Sequence, residues 1–322
     1  MSVQDFKSIC GVLNVHKPAG VSSRQVVTDV EWNLRRLARE AGQKLRRGTV
    51  KVGHAGTLDP LATGVLVICI GKATQLVPYL QDRPKTYLAE FTLGVRSETD
   101  DTEGELIPVP DAIPPASNHI EEALSNYQGE IDQVPPSFSA VHVDGVRAYA
   151  LARRGKEVSI DARPVEVHEI KLLDYQWPEI SLEIQCGSGT YIRSIARDLG
   201  NDLGCGAVMH GLTRSVIGQF THEKAITIPQ IRESNWLSFL HSPLVAVDHL
   251  PCYSCTESEQ DCLIHGRTIT PESNDSLREM LEELDELPVV NKQNELVCLA
   301  RIKKAGEEPM LQPRLVFIKT SR

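Results

Sequence analysis

The sequence predicts an α+β fold. Three observations lead there. Strand-like and helical stretches mix without the regular strand–helix repeat of a doubly wound sheet. One apolar run is continuous while another alternates with polar residues, as expected of a buried and a half-buried strand. The segment 247–322 holds mainly short strand-like pieces, so it reads as a small β-rich domain following a larger domain at 1–246.

Residues 11–16 read as a short strand, and Lys17-Pro18-Ala19-Gly20 as a turn, with Pro presetting its own φ and Gly permitting positive φ. Ser22-Ser23 offers an N-cap for a helix through Val26, Val27, Val30 and Leu34. Gly53 to Gly64 is a loop, the apolar run Val65–Ile70 suits a central strand, and Thr86–Leu93 alternates as a further strand. Residues 97–105 are acidic and polar and 108–118 hold four prolines, which predicts an exposed connection. A helix is expected over 119–127, a strand over 138–143, a hairpin turn at Asp144-Gly145 and a helix over 147–154 ending at Gly155. Strands over 164–174 and 180–186 lead through Gly187-Ser188-Gly189 to a helix from Ser194 to Leu203. Pro243 to Pro251 resembles a linker with Val245, Val247 and Leu250 as anchors, before short strands at 267–270, 288–290, 295–301 and 314–318 and an acidic stretch at Glu279–Glu286.

The net charge of −9 argues against a generally cationic nucleic-acid binder. Its distribution is uneven: residues 1–100 carry an excess of positive charge, gathered at Arg35-Arg36, Arg39, Lys44, Arg46-Arg47 and Lys51. A second basic cluster is Arg147, Arg153-Arg154 and Lys156. Either cluster is, alone, an ordinary solvated face. No apolar run approaches the roughly 20 residues a membrane helix needs, and the start lacks a signal-peptide pattern, so a cytoplasmic location is expected. The eight cysteines read mostly as reduced, buried residues. Cys252, Cys255, Cys262 and His265 have spacing compatible with zinc, but the short intervening loop and the helical polarity around Cys262 favour coincidence.

The most informative segment is Gly53-His54-Ala55-Gly56-Thr57-Leu58-Asp59-Pro60-Leu61-Ala62-Thr63-Gly64. Its glycines allow close approach of another chain, and Pro60 restricts Asp59 to extended angles. The apolar strand behind it would hold the loop rigid, as preorganisation of a reactive carboxylate requires. An Asx-turn is the bland alternative, and the glycine spacing lacks the ending of a phosphate-binding P-loop.

This segment, with Val65-Leu66, resembles the catalytic motif of the TruB family of tRNA pseudouridine synthases. Four further blocks resemble that family in order: Leu13–Ser23, Lys85-Thr86-Tyr87, Gln133–Ala140 and Gly189–Ile195. The resemblance implies a catalytic domain with a central mixed, largely antiparallel sheet and a small PUA-like RNA-binding domain at 247–322. Phe138, His142 and Gln75 stand where the family usually has Tyr, Lys and Lys, which bears on substrate contacts and leaves Asp59 untouched.

By that resemblance Asp59 is the catalytic carboxylate, Arg193 the cation that fixes it, and Tyr87 the aromatic that packs on the target base. His54 would help the target nucleotide leave its loop, and Tyr191, Leu212 and Lys17 would be pocket or scaffold residues. Lys17 has the alternative of simply supporting the Pro18 turn. The implied activity is isomerisation of uridine to pseudouridine, at uridine-55 in the tRNA T-loop. Atoms are conserved, so no cofactor or metal is expected. The expected partner is tRNA through its T-loop and T-stem, bound by a monomer with no obligate protein partner. A non-catalytic RNA-binding or tRNA-folding protein on the same fold is the competing reading.

Overall fold

The computed structural model describes residues 5–139, 141–143, 145–152, 159–233, 235–271, 281–303 and 309–318, the side chains of 142, 143, 146, 147, 150 and 152 excepted. Arg153, Arg154, Lys156, Asp144, Gly155, Ala140 and the first two residues of the acidic stretch, Glu279 and Met280, lie outside the described residues, as do the side chains of Arg147 and His142.

A ten-stranded mixed sheet forms the larger body. Its strands are β1 (Gly11–Lys17), β2 (Val52–His54), β3 (Thr63–Ile70), β4 (Lys85–Leu93), β5 (Gly129–Gln133), β6 (Arg163–Gln176), β7 (Glu179–Cys186), β8 (Ala207–Ile217), β9 (Phe220–Thr221) and β10 (Ile226–Thr227). The spatial order is β10-β1-β3-β8-β4-β7-β6-β5, with β2 paired to β3 and β9 to β8. Only β1 with β10 and β3 with β8 run parallel. The sheet is therefore mixed and mainly antiparallel, as expected.

Helix α1 (Ser23–Glu40) begins at the expected cap, where the Ser22 side chain accepts from the Gln25 N–H. Its Val26, Val27, Val30 and Leu34 pack on Leu13, Val15, Leu66 and Ile68. The opposite face of the same strands, Val12, Val65, Val67 and Cys69, packs on Leu76, Leu80, Val247 and Leu299. Burial on both faces explains why Val65–Ile70 is apolar without alternation. Strand β4 alternates because Tyr87, Ala89, Phe91 and Leu93 face a core shared with α2 (Ser117–Ser125) and α3 (Ile192–Asp202), while Leu88 and Glu90 face out.

A four-stranded sheet, β11 (Tyr253–Ser254), β12 (Glu286–Val290), β13 (Leu296–Lys303) and β14 (Met310–Val316), follows with α4 (Glu257–Ile264). The segment around Val247 is more than a linker: Val247 is buried against the larger body, and Leu296 and Leu299 join the same core. Among the described residues no helix is long and apolar enough to cross a membrane.

Several expectations need correction. The strand at 138–143 shrinks to a two-residue pairing of His142–Val143 with Val146–Arg147. The strand at 267–270 is a single bridge from Ile269 to Leu311. The helices start earlier than read, at Ser117 and Ile192. Strand β8, central to the sheet, was not foreseen from sequence. Two register shifts, between Met209 and Gly211 and between Arg214 and Val216, break the two-residue period that would reveal it.

Candidate active site

The loop between β2 and β3 is fastened on all sides. Ser23, at the start of α1, both donates from Oγ to the Leu58 carbonyl at 2.8 Å and accepts from the Leu58 N–H at 2.9 Å. The Gly20 N–H donates to the Pro60 carbonyl at 2.8 Å, and the Ala62 N–H to the Asp59 carbonyl at 3.1 Å. Lys17 is fully buried, and its ammonium donates to the carbonyls of Pro18, Val21 and Pro60 at 2.9, 2.6 and 3.2 Å. Burial pushes this ammonium down to about 8. Lys17 thus ties the first turn to the Asp59 loop from behind and does not line the cleft.

Arg214, only 1 % exposed, supports the loop from the other side. Its Nε donates to the Val65 carbonyl at 2.9 Å and its Nη2 to the Gly56 carbonyl at 3.1 Å. The glycine at 64 has a steric reason. Its φ is +100°, and an added Cβ would stand 2.3 Å from the Arg214 carbonyl oxygen, so β3 and β8 meet only if this residue has no side chain.

These restraints present the Asp59 carboxylate, 37 % exposed, at 3.0 Å from Nη2 of Arg193. Arg193 is the second residue of α3, and its position is set by the segment after β5. Gln133 brackets Tyr191, accepting from its N–H at 2.8 Å and donating to its carbonyl at 3.1 Å. The Ser194 hydroxyl donates to the Val134 carbonyl at 2.9 Å. The guanidinium then donates to the carbonyls of Thr99 at 2.9 Å and Phe138 at 3.2 Å.

The remaining partner of Arg193 overturns a sequence expectation. Asp101, on the connection expected to be exposed, is 2 % exposed and lies 3.2 Å from Nη1 of Arg193. Its carboxylate also accepts from the Thr99 hydroxyl at 2.5 Å and the Glu103 N–H at 3.1 Å. Neighbouring Asp100 pairs with Arg197 at 3.0 Å, and burial pushes its carboxyl up to about 6. This polar, acidic segment has the composition of a solvated loop, yet it is folded inward because two arginines of α3 lie beneath it. Neither Asp101 nor Arg214 was singled out from sequence. A run of acids opposite a helix bearing arginines four residues apart was the one available signal.

Asp59 and Arg193 face a cleft of about 540 Å³ that Tyr87, Tyr191, Leu212 and Phe138 also line. Burial raises the Tyr87 phenol, opposed by the nearby Arg214 charge. Among the described residues the cationic lining is Lys85, Arg193 and Arg214, against Asp59 as the one acid. Lys85 is buried, which pushes its ammonium down to about 8. The cleft therefore joins an arginine-paired carboxyl group, aromatic and aliphatic walls, and cations that suit a phosphate-bearing ligand. His54 stands at the end of β2, outside the cleft lining; its buried Nδ1 finds no hydrogen-bond partner among the described residues, and burial lowers its affinity for a proton.

The suggested zinc residues are scattered in character. Cys255 is buried in the core of the small sheet, Cys252 is exposed, and His265 Nδ1 lies 2.7 Å from the Asp261 carbonyl. Among the described residues no group of three or more His, Cys, Asp or Glu is placed to hold a metal.

Comparison with known proteins adds a family. Residues 43–192 match the model of the TruB family pseudouridylate synthase N-terminal domain, and residues 193–245 that of the tRNA pseudouridylate synthase B C-terminal domain. The chain is 38 % identical over 314 residues to tRNA pseudouridine synthase B of Synechococcus sp. (strain CC9311), covering 95 % of this chain and 97 % of that one. It is 47 % identical over 226 residues to the enzyme of the same name from Ruegeria pomeroyi, covering 70 % of each. A solved Cbf5-Nop10-Gar1 complex contains a chain of similar fold, with TM-score 0.70 and 23 % identity over 98 % of this chain and 86 % of that one.

Proposed function

The chain belongs to the TruB family of pseudouridine synthases, and from that premise we propose that it acts on uridine-55 in the T-loop of tRNA with Asp59 as the catalytic group. The reaction breaks the N1–C1′ bond of uridine and forms a C5–C1′ bond. C5 gives up its hydrogen and N1 takes a proton, so atoms and charge balance without a redox partner.

The observation that carries the proposal is the half-exposed Asp59 carboxylate held 3.0 Å from a buried guanidinium at the floor of a cleft. A carboxylate there acts either as nucleophile at C6 or as the anion that stabilises positive charge developing at C1′. Arg193 holds it in one orientation. Tyr87 and Leu212 supply surfaces against which an extruded base packs, and Tyr191 forms part of the wall. Extrusion costs a few kcal/mol, which contacts to the RNA backbone offset. Lys17 acts behind the loop, and Arg214 braces it from the side of the cleft, keeping Asp59 in place.

The small sheet at the C-terminal end is proposed as a PUA-like RNA-binding domain, and the chain as a cytoplasmic monomer that needs no protein partner. Release of tritium from C5-labelled uridine in a tRNA transcript tests the activity. Release by the purified protein, lost in Asp59→Asn, is the expected result. Equal release by the variant would remove Asp59 from the chemistry, and no release by the wild type would favour a passive RNA-binding role.

A further inference from the structure

A second cleft lies at the other end of β3. Its volume is about 530 Å³, and its walls are Lys7–Cys10, Thr49–Lys51, the turn that starts at Gly71, and Phe317 beyond β14. The eight residues of β3 run from Thr63, which pairs with Thr213 beside the Asp59 loop, to Ile70, which precedes the wall at Gly71. At about 3.3 Å per residue this places the two clefts roughly 23 Å apart.

Two features distinguish this cleft from an ordinary surface hollow. Lys7, Lys51 and Lys72 line it, and among the described residues no aspartate or glutamate does, in a chain whose net charge is −9. The nearest acid in sequence, Asp5, is engaged in capping the Lys7 N–H at 3.0 Å. The walls are also locked to one another. Gly71 has φ +64°, and an added Cβ would stand 2.1 Å from the Ile9 carbonyl oxygen. The Gly71 N–H donates to the Lys51 carbonyl at 2.8 Å, and the Lys72 ammonium to the Val316 carbonyl at 2.8 Å. Three cations thus sit on walls whose spacing is fixed by backbone contacts, so a polyanion meets them without first ordering the site.

We propose that this cleft is a remote docking site for backbone phosphates of the substrate RNA, engaged when the target uridine occupies the Asp59 cleft. The inference rests on the reading of the chain as an RNA-modifying enzyme. RNA is favoured over an acidic protein because the same molecule must already present phosphates at the cationic Asp59 cleft. The basic residues Arg46 and Arg47, just before Thr49, extend the positive charge toward the end of α1. A consequence is selection by length: an RNA too short to reach roughly 23 Å from its flipped uridine loses these contacts.

The experiment compares a full tRNA transcript with a short stem-loop that carries the same target uridine and only a few base pairs. Binding against salt concentration and steady-state kinetics are measured for wild type, Lys7→Gln/Lys51→Gln, and Lys72→Gln separately, since Lys72 also tethers β14. Each phosphate contact contributes about 0.7–0.9 to the slope of log K against log salt. The double variant is expected to lose between about one and two units of slope on the transcript. Its KM on the transcript should rise roughly tenfold with kcat unchanged, and its behaviour on the stem-loop should match wild type. Equal slopes and KM values for wild type and double variant on the transcript would overturn the proposal. So would lysine-dependent binding of an acidic peptide of matched charge with an unchanged RNA slope. The binding slopes do not depend on turnover, so absence of product would count against the isomerase reading while the slopes still judge the cleft.

Discussion

Asp59 and Asp101 share one guanidinium but live in different surroundings. Asp59 sits 3.0 Å from Arg193 with 37 % of its side chain exposed, and Asp101 sits 3.2 Å away with 2 % exposed. The buried acid is also hydrogen-bonded to Thr99 and Glu103, while the exposed one faces the cleft. The difference separates two tasks. A buried, fully bonded carboxylate fixes the cation; a carboxylate held on one side and open on the other can meet a substrate. Placing the fixed charge beneath the open one lets Arg193 stay rigid without Asp59 giving up its access.

Four experiments sharpen or break this contrast. Asp59→Asn should lower turnover by about a thousandfold or more, since the reacting charge is removed. Its unfolding midpoint in denaturant should stay near wild type, because the Asp59 carboxylate is open on one side and the buried Arg193 keeps Asp101, Thr99 and Phe138 as partners. A variant with normal turnover would end the assignment of the open acid as the reactive one. Arg193→Lys keeps the charge and loses the two-sided fork, so turnover should fall roughly a hundredfold through misplacement of Asp59. Wild-type kcat in that variant would show that the cation serves only as a counter-charge.

Asp101→Asn should show the opposite balance to Asp59→Asn. Breaking a buried pair costs up to about 3–5 kcal/mol, less here because Arg193 keeps Asp59 as a partner. A lowered unfolding midpoint together with a roughly tenfold lower kcat is expected. An unchanged midpoint would mean that the two acids do not differ in the way their burial implies.

The smallest effect concerns Lys85, a cleft cation whose ammonium donates to the Gln81 carbonyl and forms no ion pair among the described residues. Its ammonium is pushed down to about 8 by burial. It is charged below that pH and neutral above it, so the cation is lost as pH rises. KM for tRNA should therefore increase severalfold between about pH 7 and 9, and stay flatter in Lys85→Arg, whose guanidinium remains protonated. Identical KM–pH profiles for the two proteins would exclude a phosphate-facing charge at this position.

The sequence legibly reports what neighbours in the chain decide. The unbroken apolar run after Gly64, the Ser22 cap, the alternation through Tyr87 and the Asp59-Pro60 loop are local patterns, and the structure realises each of them. The family blocks added Arg193, which lies 134 positions from Asp59 and meets it in space.

What only the tertiary structure decided are partnerships across distant segments. Lys17 reads as a turn residue or a pocket residue; folding buries it against Pro60. The connection around Asp101 has the composition of a solvated loop, and only the approach of α3 makes burial of its carboxylates favourable. Strand β8 hides its period behind two bulges, yet it brings Arg214 against the Asp59 loop. Local composition fixes which elements a segment can form. Whether a charged side chain ends in water or against an opposite charge depends on where the rest of the chain travels, and no window of neighbouring residues contains that information.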